Sequence, residues 1–239
     1  MDRSFQISPD ESNVTALDAE QSFQSPLSDT ILKLYRRFNT EKVRAPLRRW
    51  IVIKIEQGPA RSGTIRHIFK RFHRVSVGLF TAGPVLLKPT AYHPNTVIGR
   101  YTHIAPSVRT FTRNHPMNIL STHGFFYNPV LGKVKEEIVN FNTLRIGHGV
   151  HIGHNVIIVP STQRIGEGAI IAPGSVVYFD VPPYAIVSGY PATVKGYRFP
   201  KPQIQSLLSS EWWKLTPREL EPRQREIIQN AATPEFVSQ

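Results

Sequence analysis

The chain has 239 residues, 40% of them hydrophobic, and no cysteine. That length suits one domain with extensions. The missing cysteine excludes disulfides, thiolate metal sites and a cysteine nucleophile. The formal charge of +12 is uneven. Residues 33–74 hold 13 Lys/Arg against only Glu41 and Glu56, a local balance of +11. Such a block suits an anionic partner or a solvated helical face. No nucleic-acid recognition motif accompanies it, so nucleic acid is not an expected partner. The opening MDRSFQISPD has no apolar segment of the secretory kind, and no apolar run approaches the roughly 20 residues of a membrane span. A soluble, cytoplasmic protein is therefore expected.

Residues 1–27, rich in Ser, Gln, Asp and Glu, read as a mobile tail. Residues 28–75 read as a basic helical extension. Ser28 or Asp29 can cap a first helix, with Leu27, Ile31, Leu34, Tyr35 and Phe38 on one side. Pro46 should end that pattern, and Leu47 to Ile55 fits helix or strand. Thr64 can cap another helix whose Ile65, Ile68, Phe69 and Phe72 form an apolar stripe.

After residue 75 a repeat appears. An aliphatic residue, most often followed by Gly or Ala, recurs at Ile98, Ile104, Ile146, Ile152, Ile158, Ile165 and Ile171, and Val177 continues the register. Small or β-branched residues precede it by two positions at Val150, Val156, Ala169 and Ser175. A six-residue period fits neither an α-helix nor an alternating hairpin. It predicts a triangular parallel β-helix over 76–199, with each aliphatic inward and stacked on the next coil at about 4.8 Å. The glycines allow turning and close packing. A sandwich of regular short strands would not hold Ile-Gly in register for so long.

The repeat is broken by a long segment, 109–142, read as an inserted functional loop. Beyond the β-helix, 200–239 should form a C-terminal helix and tail. Ile204, Leu207, Leu208, Trp212 and Trp213 would pack back, and Pro217 would end the helix.

The string IGHGVHIGHNVIIVPSTQRIGEGAIIAPGSVVYFDVPPYAIVSGYPATVKGYRF resembles the C-terminal half of hexapeptide-repeat acyltransferases. Asn114-His115-Pro116, STHGFFYNP (121–129) and LLSSEWW (207–213) are similar to its xenobiotic and polysaccharide O-acetyltransferase branch. EQGPARSGTIRHIF (56–69) looks like the polysaccharide-type members. The resemblance spans roughly residues 45–215. It implies an all-β core in a left-handed parallel β-helix, with an N-terminal helical extension and a C-terminal helix. It also implies acetyl-CoA as co-substrate and a homotrimer with active sites between subunits.

On the family pattern His115 is the general base that removes the acceptor hydroxyl's proton. Such a His needs a partner at its other nitrogen to set its tautomer. Asn114 and His123 are the candidate acceptor-binding residues. For CoA the candidates are backbone amides at Gly153, Ala172 and Gly174, with Lys195 and Arg198 near its phosphates. Two departures limit the carry-over. Pro173 lacks an N–H, and Tyr178-Phe179 replaces the usual Thr-Lys.

His148, His151 and His154 invite a metal reading, but their spacing puts them on different corners and no metal is expected. The leading expectation is O-acetyl transfer to a sugar or glycan-precursor hydroxyl. The alternatives are an antibiotic O-acetyltransferase, a metal-dependent hydratase and a non-catalytic binding scaffold. The basic block suggests peripheral contact with an anionic membrane.

Overall fold

The computed structural model describes residues 17–18, 20–56, 58–83, 89–139 and 141–230. Ten two-residue strands and a terminal hairpin make the core. The strands are β1 (Ser76–Val77), β2 (Val97–Ile98), β3 (His103–Ile104), β4 (Arg109–Thr110), β5 (Arg145–Ile146), β6 (His151–Ile152), β7 (Ile157–Ile158), β8 (Arg164–Ile165), β9 (Ile170–Ile171) and β10 (Val176–Val177). The hairpin is β11 (Ala185–Gly189) and β12 (Ala192–Tyr197). They form three sheets, ordered β1-β2-β5-β8, β3-β6-β9-β11-β12 and β4-β7-β10. From β2 to β10 successive strands visit the three sheets in turn, so the chain winds as a three-sided parallel coil.

The registers explain the six-residue period. Ile98 lies beside Ile146 and Ile146 beside Ile165. Ile104, Ile152, Ile171 and Val187 form a second ladder. Thr110, Ile158 and Val177 form the third. Ile104, Ile152, Ile158, Ile165, Ile171 and Val177 are all fully buried. Burying each side chain of this size contributes about 1.5–3 kcal/mol. The glycine after the aliphatic lies under backbone of the next coil: a Cβ on Gly147 would sit 2.7 Å from the Glu167 amide. Only a residue without a side chain permits that approach.

The inserted loop starts later than the aliphatic pattern suggests. Arg109–Thr110 is a coil strand paired with β7, so the excursion runs over 111–144. Thr110 holds the inward position without being aliphatic, which hid it. The coil ends where β12 turns back antiparallel on β11.

The N-terminal extension is helical and shares the core of the coil. Helices α1 (Ser28–Arg37), α2 (Glu41–Trp50) and α3 (Gly63–His73) are present, with a π-helical turn at Ile51–Ile55. Ile31, Tyr35, Ile51, Ile65, Ile68 and Phe69 join one cluster with the coil's Val75, Val77 and Ile98. Several local expectations change. The cap of α3 is Ser62, whose hydroxyl accepts from the Ile65 amide at 3.3 Å. Pro46 lies inside α2 instead of ending the preceding helix. The stripe on α1 splits: Ile31 and Tyr35 are buried, while Leu27, Leu34 and Phe38 are exposed.

A buried carboxylate organises this extension. Glu56 accepts from the Ser25 amide at 3.1 Å, the Ser28 hydroxyl at 2.8 Å, the Ser62 hydroxyl at 2.5 Å and the Thr64 amide at 3.1 Å. The Thr64 hydroxyl donates to it as well. A buried charge is tolerable only when so fully bonded. The tail expectation for 1–27 therefore fails over its second part. Ser25 is buried on Glu56, Phe23 bridges to Ser62, and the Asp18 carboxylate lies 3.4 Å from the buried Arg100 guanidinium. Residues 1–16 lie outside the described residues, as does the end of the chain from 231.

At the other end, α4 (Lys201–Ser209) carries no buried residue. Trp213, in the following Trp212–Lys214 turn, is buried and stacks on His148, with ring centroids 4.8 Å apart. Trp212 donates its indole N–H to the Tyr184 hydroxyl at 2.8 Å. Pro217 begins helix α5 (Pro217–Asn230) rather than ending its predecessor. Its fixed φ suits a first helical turn, where a missing N–H costs nothing.

Candidate active site

The loop leaves β4 and is tied off at its root, where the Asn142 amide donates to the Thr112 carbonyl at 2.8 Å. Inside it, a short 3₁₀ turn at Gly124–Phe126 positions Tyr127, one of its few buried residues. His115 meets this turn. Its Nδ1 lies 3.0 Å from the Thr122 carbonyl oxygen and 2.7 Å from the Tyr127 hydroxyl. The two rings meet edge to face at 5.5 Å. With the proton on Nδ1, the Thr122 carbonyl and the Tyr127 hydroxyl can both accept it, and Nε2 then presents a lone pair. The imidazole is exposed. This arrangement can take a proton from an acceptor that reaches Nε2.

The other expected acceptor residues behave differently. Asn114 is exposed beside His115. The Nδ1 of His123 accepts from the Phe125 amide at 3.2 Å, and its ring packs on Phe125 at 4.3 Å. It caps the 3₁₀ turn that places Tyr127. Sequence reasoning missed Thr122, Tyr127 and Arg113. Tyr127 sat inside the quoted STHGFFYNP segment, but no periodicity distinguishes it from its two Phe neighbours. Arg113 pairs with Glu137 and lies over the Phe141 ring at 4.4 Å and the Tyr127 ring at 6.0 Å.

The three amides expected for CoA are occupied. Gly153 N–H donates to Ile171, Ala172 N–H to Val187 and Gly174 N–H to His154, at 2.8–2.9 Å. Coil-to-coil bonding uses them, so the amide role assigned to these residues is withdrawn. Gly153 is also buried beneath Pro173. Gly174 remains an open corner: it has φ +73°, and a Cβ there would meet nothing within 4 Å. Arg198 is committed too. It donates to the Gly168 carbonyl at 2.7 Å and lies over the Tyr184 and Phe199 rings, and burial lowers its pKa. Lys195 is exposed on β12.

The histidines on the coil are separated as expected. His148 accepts the Arg100 amide on Nδ1 at 2.9 Å, and burial, aided by the Arg100 and Lys214 charges, pushes its pKa down to about 4. It is a neutral packing residue. His154 meets the Ser107 hydroxyl at 2.9 Å. His151 stacks on His103 of the adjacent coil, with centroids 5.2 Å apart. Among the described residues no group of three or more potential metal ligands is present.

A 35% identical relative covers 131 residues, 52% of this chain and 72% of its own length: a "Probable macrolide acetyltransferase" of Lysinibacillus sphaericus. The chain belongs to the hexapeptide-repeat acetyltransferases. No protein-family model matches it. A chloramphenicol acetyltransferase of Klebsiella aerogenes is 33% identical over 123 residues, and the chain spans 58% of that relative's length and 49% of its own. The solved structure of a hexapeptide-repeat acetyltransferase from Vibrio cholerae aligns at 18% identity and a TM-score of 0.39, over 79% of this chain and 94% of that one.

Proposed function

We propose that the protein transfers an acetyl group from acetyl-CoA to a hydroxyl of a sugar or glycan precursor, with His115 as general base. The observation that carries this is the His115 pairing. Nδ1 is held by the Thr122 carbonyl and Nε2 is left to act. Nε2 takes the hydroxyl proton as the acceptor oxygen bonds to the acetyl carbon, and returns the proton to the departing sulfur. Acetyl-CoA supplies the activated acetyl group. The residues that would hold it are the open Gly174 corner and the Lys195 cation. Asn114 would orient the acceptor. His123 acts by positioning the turn.

The coil is read as left-handed on the family resemblance. The working form is a homotrimer with His115 near a subunit boundary. Met117, Leu120, Val130, Leu131 and Ile138 support this: all are exposed on the loop and would be covered by a second copy. Light scattering showing only monomer would remove the trimer.

A second acceptor reading, an antibiotic hydroxyl, is favoured by the names of the relatives. One experiment separates the two. The purified chain is incubated with acetyl-CoA and panels of sugars and antibiotics, and thiol release is followed. Release with sugars supports the first reading, release with antibiotics alone supports the second, and none with either overturns the transferase.

The basic extension is proposed to give peripheral attraction to an anionic membrane from the cytoplasmic side. Exposed Lys33, Arg36, Arg37, Lys42, Arg49 and Lys54 surround exposed Leu34, Phe38, Val43 and Trp50. These four apolar residues lie on the surface. Each cation near the lipid adds about 1 kcal/mol. No described helix is long and apolar enough to cross a membrane. Equal co-sedimentation with neutral and anionic vesicles would eliminate the electrostatic attraction.

A further inference from the structure

A cleft of about 540 Å³ opens between the end of α3, the 89–94 turn and the root of the loop. Aromatic rings and cations line it, among them Arg74, His93, Phe111, Arg113 and Phe141. Among the described residues, no carboxylate does. His93 stacks on Phe141, with centroids 4.3 Å apart at 25°. The His93 Nδ1 is taken by the Pro94 carbonyl at 2.8 Å, which leaves Nε2 as an acceptor. The Arg74 side chain is exposed at the helix end.

Two further observations point to a ligand. Tyr92 also lines the cleft and is 4% exposed, yet its hydroxyl has no hydrogen-bond partner. A buried polar group left unpaired is costly, and this one belongs to a residue of the cleft wall. The cleft also connects to the base. Arg113 lines it and lies over the Tyr127 ring, and the Tyr127 hydroxyl reaches His115 Nδ1.

We propose that this cleft seats a phosphorylated sugar, the part of the acceptor that carries its negative charge. Sugar rings pack against aromatic faces, here Phe111 and the His93–Phe141 pair. Phosphate accepts charge-assisted hydrogen bonds from guanidinium groups, here Arg74 and Arg113. This deepens the sugar reading of His115 and rests on it. Arg113 already pairs with Glu137, so an uncharged acceptor would leave Arg74 as the cation of the cleft without an anionic partner there.

The test is equilibrium binding to the full chain without acetyl-CoA, by calorimetry. The probes are N-acetylglucosamine 1-phosphate, N-acetylglucosamine and inorganic phosphate. The sugar phosphate should bind at least about tenfold more tightly than either fragment, and Arg74→Gln should weaken it by about tenfold. Phe111→Leu should weaken the sugar phosphate but not inorganic phosphate. Lys135→Ala, on the loop away from the cleft, controls for general charge, and melting curves confirm that each variant folds.

Equal binding of neutral and phosphorylated sugar overturns the proposal. So does inorganic phosphate binding as tightly as the sugar phosphate, or displacement of the sugar phosphate by CoA, which would assign the cations to the donor. Because binding is read without turnover, the two readings fail separately. Tight sugar-phosphate binding with no thiol release for any acceptor would overturn the transferase and leave the cleft standing.

Discussion

The coil and the loop solve the same problem in opposite ways. On the coil each strand is only two residues long, yet its backbone bonds to the strand above or below and its inward Ile is sealed. Ile152, Ile158, Ile165 and Ile171 are fully buried within a single copy. The loop over 111–144 has few buried side chains, Thr112, Tyr127 and Leu144 among them, and it exposes Met117, Leu120, Val130 and Leu131. The coil is complete as one chain. The loop is tied at its root and around one turn, and its apolar surface is left to be covered. Stability lives in the first region, and the proposed chemistry is assigned to the second, where a loop is held by a rigid scaffold.

The largest effect should come from the loop and touch only rate. His115→Ala should lower turnover by roughly 10²–10⁴, the usual contribution of a general base, while leaving the melting temperature unchanged. If thiol release persisted near the wild-type rate, the base would lie elsewhere.

Ile171→Ala should do the reverse. It opens a cavity between the Ile152 and Val187 rungs and should cost about 2–5 kcal/mol in denaturant unfolding. Leu120→Ser, on the loop, should change monomer stability by less than about 0.5 kcal/mol. Similar losses for both would erase the distinction between the regions.

Acid should probe the coil through His148. Burial lowers its folded pKa to about 4, below the 6.5 of the unfolded chain. The folded state holds it neutral, so its contribution is present above pH 6.5 and is lost as pH falls towards 4. The full loss is roughly 3 kcal/mol. Asp18 acts in the opposite sense. Burial raises it to about 6 despite Arg100, so its protonation favours the folded state as pH falls. The comparison of wild type with His148→Gln isolates the histidine. Unfolding curves from pH 7 to 4.5 should be steeper in pH for wild type, and identical slopes would contradict a buried neutral His148.

The smallest effect on rate is expected at Tyr127→Phe, which removes one hydroxyl 2.7 Å from His115 Nδ1. The loss of about 1 kcal/mol of orientation should reduce kcat several-fold, with KM for the acceptor little changed. A change in KM alone would place Tyr127 in binding instead.

The six-residue Ile period by itself determined the coil, because an inward position must recur once per face and aliphatic side chains fill most of them. It also marked the loop as a departure; within the loop, His115 is preferred over His123 on the family resemblance and not on the period. It misplaced the loop's start, because Thr110 fills an inward site without the aliphatic signal. It could not find Glu56 as the hub of the N-terminal extension, since Ser25, Ser28, Ser62 and Thr64 converge on it only once three separate segments are packed. The amides of Gly153, Ala172 and Gly174 looked available because glycine and alanine permit close approach. Tertiary structure gave that approach to the neighbouring coil, since every interior N–H must find a partner and the nearest carbonyl is one rung away. The cleft beside Arg113 draws on residues 72–74, 89–94, 110–113 and 141, which are brought together by winding and loop closure and by no local pattern.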